Sequence, residues 1–191
     1  MVVRILLFVL FILVISCSPD SGKYEKSFDI PLMTENEQFR LAGEYDSLVN
    51  LNKKYYRKAQ KLGYDGGKAL CYINLARVNM SLENYQKANI LFNNAEEILK
   101  DSDNPLHKAI FYNIYGRLNS EMRRVDKAFE YNNEALKNIE KSRNSELKTR
   151  VLFYIYLQQG DYYTQKRSLW KLWNIFRKPE GLIILGLQIV R

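Results

Sequence analysis

The chain contains few residues whose types and spacing suggest catalysis. His107 is the only histidine, and because it follows Pro105 at a predicted helix start, we expect it to face solvent or to cap that helix. Cys71 lies in an apolar helical stretch, which predicts a buried thiol rather than a nucleophile paired with His107. The sequence contains no P-loop, dinucleotide-binding, zincin or EF-hand motif. We therefore expect no catalytic residues, no metal site and no cofactor.

The net charge of +8 raises the question of nucleic-acid binding. Residues 167–191 carry +4 of this charge and Arg4 carries +1, which leaves +3 for residues 16–166. That balance is mild, and no basic stripe alternates with stacking aromatic residues. We expect no direct binding of nucleic acid by this chain.

The N-terminal end has the composition of a membrane-targeting leader. Arg4 precedes an apolar run at residues 5–15, and Ser16 stands directly before Cys17. The run is shorter than the roughly 20 residues that a membrane-spanning helix needs, and it suits the core of a signal peptide. Residues 14–17 also resemble the lipobox of bacterial lipoproteins, which implies cleavage before Cys17 and lipid attachment to its sulfur. The alternative is an ordinary signal peptide that happens to contain a cysteine.

Residues of matching type recur at intervals of 40 along the middle of the chain. The matching pairs are Ala76 and Gly116, Tyr85 and Val125, Ala88 and Ala128, and Ala95 and Ala135. Small residues at these intervals let one helix approach the next closely, and bulky side chains between them fill the remaining space. The spacing therefore predicts antiparallel helix pairs in repeated units.

These positions resemble the tetratricopeptide repeat, a family whose unit is about 34 residues long. The resemblance covers roughly residues 34–165 and implies an all-α fold, a right-handed superhelix of antiparallel helix pairs. Asn132 departs from the family pattern, which has Phe there, and we expect Tyr131 to compensate. An unrelated helical bundle with accidental periodicity is the alternative. The predicted segments are a signal peptide (1–16), a flexible tether (17–33), a degenerate first repeat (34–68), two repeats (69–108 and 109–152), the first helix of an incomplete repeat (153–166) and an atypical tail (167–191).

The family resemblance also implies a peptide-binding groove. In such arrays the first helix of each unit lines a concave face that binds extended peptides. The family positions place eight residues there: Ile73, Arg77, Met80, Asn113, Arg117, Ser120, Leu157 and Asp161. Arg77 and Arg117 have the charge to bind a peptide carboxylate, or else they solvate the face and pair with neighbouring Glu residues. Chaperone-binding members carry Asn and Lys at these two positions, so we do not expect chaperone tails as ligands.

Residues 167–191 lack the second helix that the incomplete repeat requires, and Pro179 would break any helix there. Back-translation of residues 170–179, read two bases later, is compatible with Glu-Ala-Leu-Glu-Tyr-Phe-Gln-Lys-Ala, which is the missing signature. We therefore interpret the tail as out of frame and expect a longer parent protein. A genuine apolar C-terminal segment is the alternative. Because an array without a capping helix exposes apolar surface, we also expect self-association.

These features together predict a non-catalytic, membrane-anchored lipoprotein of the bacterial cell envelope, on its periplasmic or outer surface, that binds a protein or peptide through its repeats. The alternative is the sensor-side fragment of a membrane-anchored regulator whose transcriptional or signalling domain is missing. A frame beyond the tail that encodes about 20 apolar residues and a helix-turn-helix pattern would favour the regulator.

Overall fold

The chain folds into packed pairs of helices. The computed structural model describes residues 22–165, and these contain helices and turns but no strand. Seven α-helices lie in this range: α1 Ile30–Ala42, α2 Tyr45–Leu62, α3 Asp65–Ser81, α4 Tyr85–Leu99, α5 Pro105–Glu121, α6 Val125–Lys141 and α7 Glu146–Gln165. The predicted all-α class is confirmed, whereas the right-handed superhelical winding stays a prediction. Among these seven helices, none is both long and apolar enough to cross a bilayer. The predicted signal peptide, Cys17 and the tail at 167–191 lie outside the described residues.

The 40-residue period is present in the backbone. The turns that follow α1, α3 and α5 each contain one residue in the left-handed conformation: Gly43 (φ 71°), Glu83 (φ 57°) and Arg123 (φ 63°). In each turn the next residue donates its N–H to a carbonyl five positions earlier, at 2.8 to 2.9 Å, which is the Schellman ending of a helix. The three turns are therefore equivalent, and α2, α4 and α6 begin two residues after them.

Small residues set the approach of the helices in each pair. A Cβ atom on Gly116 would lie only 3.1 Å from the carbonyl oxygen of Ala128, so α5 and α6 are in near-backbone contact at this point. The alanines at the other repeated positions are also completely buried: Ala76, Ala88, Ala95 and Ala135. The expectation that the repeated small residues lie in the core is confirmed.

The odd-numbered helices form one layer. Helix α5 contacts both α3 and α7. Asn113 of α5 donates to Gln158 of α7, and one turn further along both helices Tyr162 lies against Gly116. Because these contacts advance in the same direction, α5 and α7 run parallel. An ion pair between Glu37 and Arg77 joins α1 to α3, and the even-numbered helices pack against this layer.

The ordered N-terminal part begins earlier than the sequence predicts. Residues 24–33 were assigned to a flexible tether, but Glu25–Asp29 form a π-helical turn that continues into α1. Phe28 and Leu32 are completely buried, and the ring of Phe28 packs edge-on against Tyr55 at 5.1 Å. These two apolar residues lie four positions apart, on one helical face, and their burial holds the segment in place.

The last described helix also starts before its predicted boundary. Helix α7 begins at Glu146, whereas we placed the first helix of the incomplete repeat at 153–166. The hydroxyl of Ser145 accepts the backbone N–H of Lys148 and caps this earlier start. Leu147 and Val151 on the added turns are buried in the main core.

Candidate functional site

The eight predicted groove residues separate into buried and accessible sets. Ile73 is completely buried, and Met80 and Asn113 are also buried, so these three side chains are not open to a ligand in this structure. Arg77 is half-buried and ion-paired. The other four line a single depression of about 330 Å³ between α5 and α7: Arg117, Ser120, Leu157 and Asp161.

Four charged residues occupy equivalent positions on the odd-numbered helices. Glu37, Arg77 and Arg117 follow one another at intervals of 40, and Asp161 follows Arg117 after 44, the same longer interval that separates Gly116 from Gly160. The helices α1, α3, α5 and α7 therefore present a series of one acid, two bases and one acid along one layer. How these charges pair determines what the surface can bind.

The first two members of this series are paired with each other. Arg77 Nη2 lies 2.9 Å from Glu37 Oε2, and Arg40 binds the same carboxylate through two further hydrogen bonds of 2.6 and 3.0 Å. The hydrogen bond from Arg40, helped by the charges of both arginines, lowers the pKa of Glu37 to about 2 even though partial burial opposes this. Burial lowers the pKa of Arg77, and the Glu37 carboxylate opposes that shift. Glu37 therefore neutralises Arg77, which corresponds to the alternative in which the arginines pair with neighbouring Glu residues.

The other two members are not paired with each other. Arg117 Nε donates to Glu121 Oε1 within its own helix at 2.9 Å. Asp161 forms no ion pair or hydrogen bond with any residue between 22 and 165. Partial burial raises the pKa of the Asp161 carboxyl group, and the nearby charge of Arg117 opposes this. The depression therefore contains one arginine that is already paired and one carboxylate that is not.

The walls of the depression are partly apolar and are held in place by hydrogen bonds. Gln158 Oε1 accepts from Asn113 Nδ2 at 3.0 Å and from the Tyr162 hydroxyl at 3.2 Å, which locks α5 against α7. Tyr154 is 43% exposed at the rim, and Leu157 contributes an aliphatic wall. The volume lies near the lower end of ligand pockets, which run from about 300 to 1,000 Å³. The arrangement fits one extended side chain of a larger ligand.

The first and last odd-numbered helices also meet. Arg150 Nη1 near the start of α7 donates to Thr34 Oγ1 of α1 at 3.0 Å. This hydrogen bond joins α1 and α7, the first and last helices of the layer, near their N-terminal ends. The depression lies further along α7, between residues 154 and 162, and is not covered by this bridge.

A second polar cluster, absent from the sequence predictions, lies inside the protein. His107 Nε2 is 3.0 Å from Asp29 Oδ2, and the Tyr64 hydroxyl lies 2.8 Å from both oxygens of that carboxylate. An ionised carboxylate only accepts hydrogen bonds, so we assign Tyr64 and the Nε2–H of His107 as the donors. Burial, followed by the charge of Asp29, raises the pKa of Tyr64, so its hydroxyl stays protonated at neutral pH.

The prediction that His107 faces solvent is wrong for its side chain. The backbone N–H of His107 does take part in capping α5, because it donates to Asn104 Oδ1, but the imidazole is 0% exposed and Asp29 is 1% exposed. No substrate can reach these groups in this conformation. Cys71, expected in the core, is completely buried, and burial raises the pKa of its thiol to about 12. This cluster joins distant parts of the fold and has no opening for a ligand.

A larger cleft of about 510 Å³ lies between the N-terminal segment and the α4–α5 and α6–α7 connections. Glu25 forms one wall and faces Arg143 across 3.6 Å. Lys108 and Asn138 on the other walls already donate to carbonyl oxygens of the chain. Acidic and basic groups are mixed around the cleft: Glu25 and Asp103 lie beside Lys108, Lys141 and Arg143.

No protein-family model matches the sequence, and no curated protein matches it. Among residues 22–165, no group of three or more His, Cys, Asp or Glu side chains is placed to hold a metal ion. The depression between α5 and α7 is the candidate functional site, since four of the predicted groove residues line it.

Proposed function

We propose that this chain is a protein–protein interaction scaffold of the bacterial cell envelope, which binds a peptide segment of its partner between α5 and α7. In this proposal the chain is a tetratricopeptide-type array that acts by binding, without catalysis or a cofactor. The observation that carries the proposal is that Arg117, Ser120, Leu157 and Asp161 line the same depression. The family resemblance assigns these four residues, together with Ile73, Arg77, Met80 and Asn113, to a peptide groove.

The composition of the depression supports peptide binding. Exposed aromatic and aliphatic side chains beside a few fixed polar groups are typical of sites that bind peptides and proteins. Tyr154 and Leu157 supply the apolar contacts, and Gln158 is already held by two hydrogen bonds, so little ordering is needed on binding. An extended peptide segment can lie along the parallel helices α5 and α7.

An array of random peptides with blocked ends, probed with the full chain, tests this function directly. We expect a set of peptides to bind, and the Tyr154→Ala/Leu157→Ala double variant to bind them at least about tenfold more weakly, a loss of about 1.4 kcal/mol. The matched control is Leu82→Ala/Ile90→Ala, which removes two exposed apolar side chains outside the depression. Equal losses in both double variants, or no bound peptide at all, would refute the proposed site.

The envelope location rests on residues 14–17 and is tested separately. Cys17 is the proposed site of lipid attachment, and its thiol would be acylated before cleavage of the leader. Metabolic labelling with a fatty-acid analogue should mark the wild-type chain and leave Cys17→Ser unlabelled. Cys71→Ser serves as the control because Cys71 is buried in the core. Label that persists in the Cys17→Ser variant would disprove the lipoprotein assignment without affecting the peptide-binding proposal.

A further inference from the structure

The charges along the odd-numbered helices suggest which ligand the depression takes. Glu37 and Arg77 form a closed ion pair between neighbouring units at 2.9 Å. Arg117 and Asp161 occupy the next equivalent pair of positions, but Arg117 binds Glu121 instead. Arg117 and Asp161 therefore do not pair with each other, and both of them line the depression.

The depression has an excess of negative charge. Its lining contains one base, Arg117, and two acids, Glu121 and Asp161. Glu121 accepts the Nε–H of Arg117 through Oε1, and Asp161 has no partner among residues 22–165. Asp161 is exposed at the wall of the depression, so a cation brought by a ligand can reach its carboxylate.

The same contacts disfavour an acidic ligand. A peptide carboxylate could bind Arg77 only by displacing Glu37, which also holds Arg40. Within residues 22–165 Arg117 keeps its Nη N–H groups free, since only its Nε donates to Glu121, but a carboxylate bound there would lie close to both Glu121 and Asp161. At either arginine the peptide carboxylate would compete with an existing intramolecular ion pair, and at Arg117 it would also be repelled by Asp161.

We infer that the depression binds a lysine or arginine side chain of an extended peptide, with its cationic group at Asp161 and its methylene stem against Leu157 and Tyr154. This inference rests on the proposed peptide-binding function and specifies its ligand. Long basic side chains cover apolar surface with their stems while the charged end reaches a polar group.

The test uses the full chain and an array of decapeptides with acetylated N-termini and amidated C-termini, so that only side chains carry charge. We expect the bound peptides to be enriched in Lys and Arg. For a binder, replacing its Lys with norleucine should weaken binding at least about tenfold. Asp161→Asn should remove both the enrichment and the difference between Lys and norleucine. Asp101→Asn changes an exposed aspartate outside the depression in the same way and should preserve both.

The outcomes separate this inference from the function on which it depends. Peptides that bind without basic enrichment, or with affinity unchanged by Asp161→Asn, would overturn the inference and leave peptide binding intact. Enrichment in acidic peptides that is lost in Arg117→Ala would also overturn it, in favour of carboxylate recognition. Failure to bind any peptide would refute both proposals. If Asp161→Asn abolished dimer formation in sedimentation velocity while no peptide bound, the occupant would be a second copy of the chain.

Discussion

His107 Nε2 lies 3.0 Å from a carboxylate oxygen of Asp29, although 78 residues separate these two side chains in the sequence. Tyr64 precedes α3 and donates to the same carboxylate, so the cluster joins the N-terminal turn, the α2–α3 connection and the start of α5. Both Asp29 and His107 are buried, and a buried carboxylate without its donors is strongly destabilised. The N-terminal segment that follows the proposed membrane tether is therefore anchored to the repeats by buried polar contacts.

Replacing His107 with Ala should lower the free energy of unfolding by about 3 kcal/mol, because it leaves the Asp29 carboxylate buried with one donor fewer. Urea denaturation of the full chain, followed by circular dichroism, measures this loss. Tyr64→Phe removes one hydroxyl donor from the same carboxylate and keeps the ring, so its loss should be smaller, about 1–2 kcal/mol. A His107→Ala variant as stable as the wild type would show that this buried contact does not contribute to folding.

Asn132 offers a stabilising substitution. It is completely buried, and neither atom of its amide group has a hydrogen-bond partner within the described residues. The equivalent position one unit earlier holds the buried Phe92. Asn132→Leu should therefore increase the free energy of unfolding by about 1–3 kcal/mol, because the penalty of an unsatisfied buried amide is removed. Thermal denaturation should show a rise of several degrees, since each 1 kcal/mol corresponds to about 2–4 °C in a chain of this size.

The control for that substitution is Asn138→Leu on the same helix. The Asn138 amide is half-buried and already donates to the carbonyl of Glu134 at 2.8 Å. Its replacement should change stability by no more than about 0.5 kcal/mol. If Asn132→Leu is destabilising, the amide must have a role that an apolar side chain cannot replace.

At the three equivalent turns, introducing a glycine and removing one should have opposite effects on stability. Glu83 and Arg123 adopt the left-handed conformation at a cost of about 1–2 kcal/mol, which Gly43 avoids. Glu83→Gly and Arg123→Gly should each stabilise the protein by about 0.5–1 kcal/mol, after the larger unfolded-state entropy of glycine is taken into account. Gly43→Ala should destabilise it by a similar amount. Chemical denaturation of the three variants tests the equivalence, and effects of the same sign at all three positions would contradict it.

The ion pair of Glu37 predicts a dependence of stability on pH. The pKa of Glu37 is lowered from 4.5 to about 2 in the folded protein, so its contribution is fully present above pH 4.5 and is lost as the pH falls towards 2. Because the group is only partly buried and solvent screens it, we expect about 1 kcal/mol at pH 7. Glu37→Gln should be less stable than the wild type by that amount at pH 7, and the two should converge near pH 2.

Unfolding measured at several pH values tests this convergence. Glu140→Gln is the matched control, since Glu140 is exposed and has no ion pair within residues 22–165. It should follow the wild-type profile throughout. If the difference in the free energy of unfolding between Glu37→Gln and the wild type stayed constant down to pH 2, the ion pair would not be the cause of that difference.

The candidate site was only partly predictable from the sequence. Arg117 and Asp161, which the family positions assign to the groove, both line the depression. The same positions also selected Ile73 and Met80, which are buried. A repeat position specifies where a residue lies on its helix, but its exposure depends on side chains from other helices that pack over it.

The fold shows the same division. The sequence alone predicted the close helix pairs, from the 40-residue spacing of small residues, and the helix start at Pro105. Each of these features depends on contacts within one unit. The buried contact between Asp29 and His107 was not predicted, since it joins two segments that are separated by two helix pairs, α1–α2 and α3–α4. The sequence also did not determine how the charges pair: Glu37 binds Arg77 of another helix, whereas Arg117 binds Glu121 of its own helix. The spacing of small residues therefore predicted paired, closely packed helices, and the tertiary structure decided which polar groups of residues 22–165 are paired, because pairing depends on distances between residues far apart in the chain.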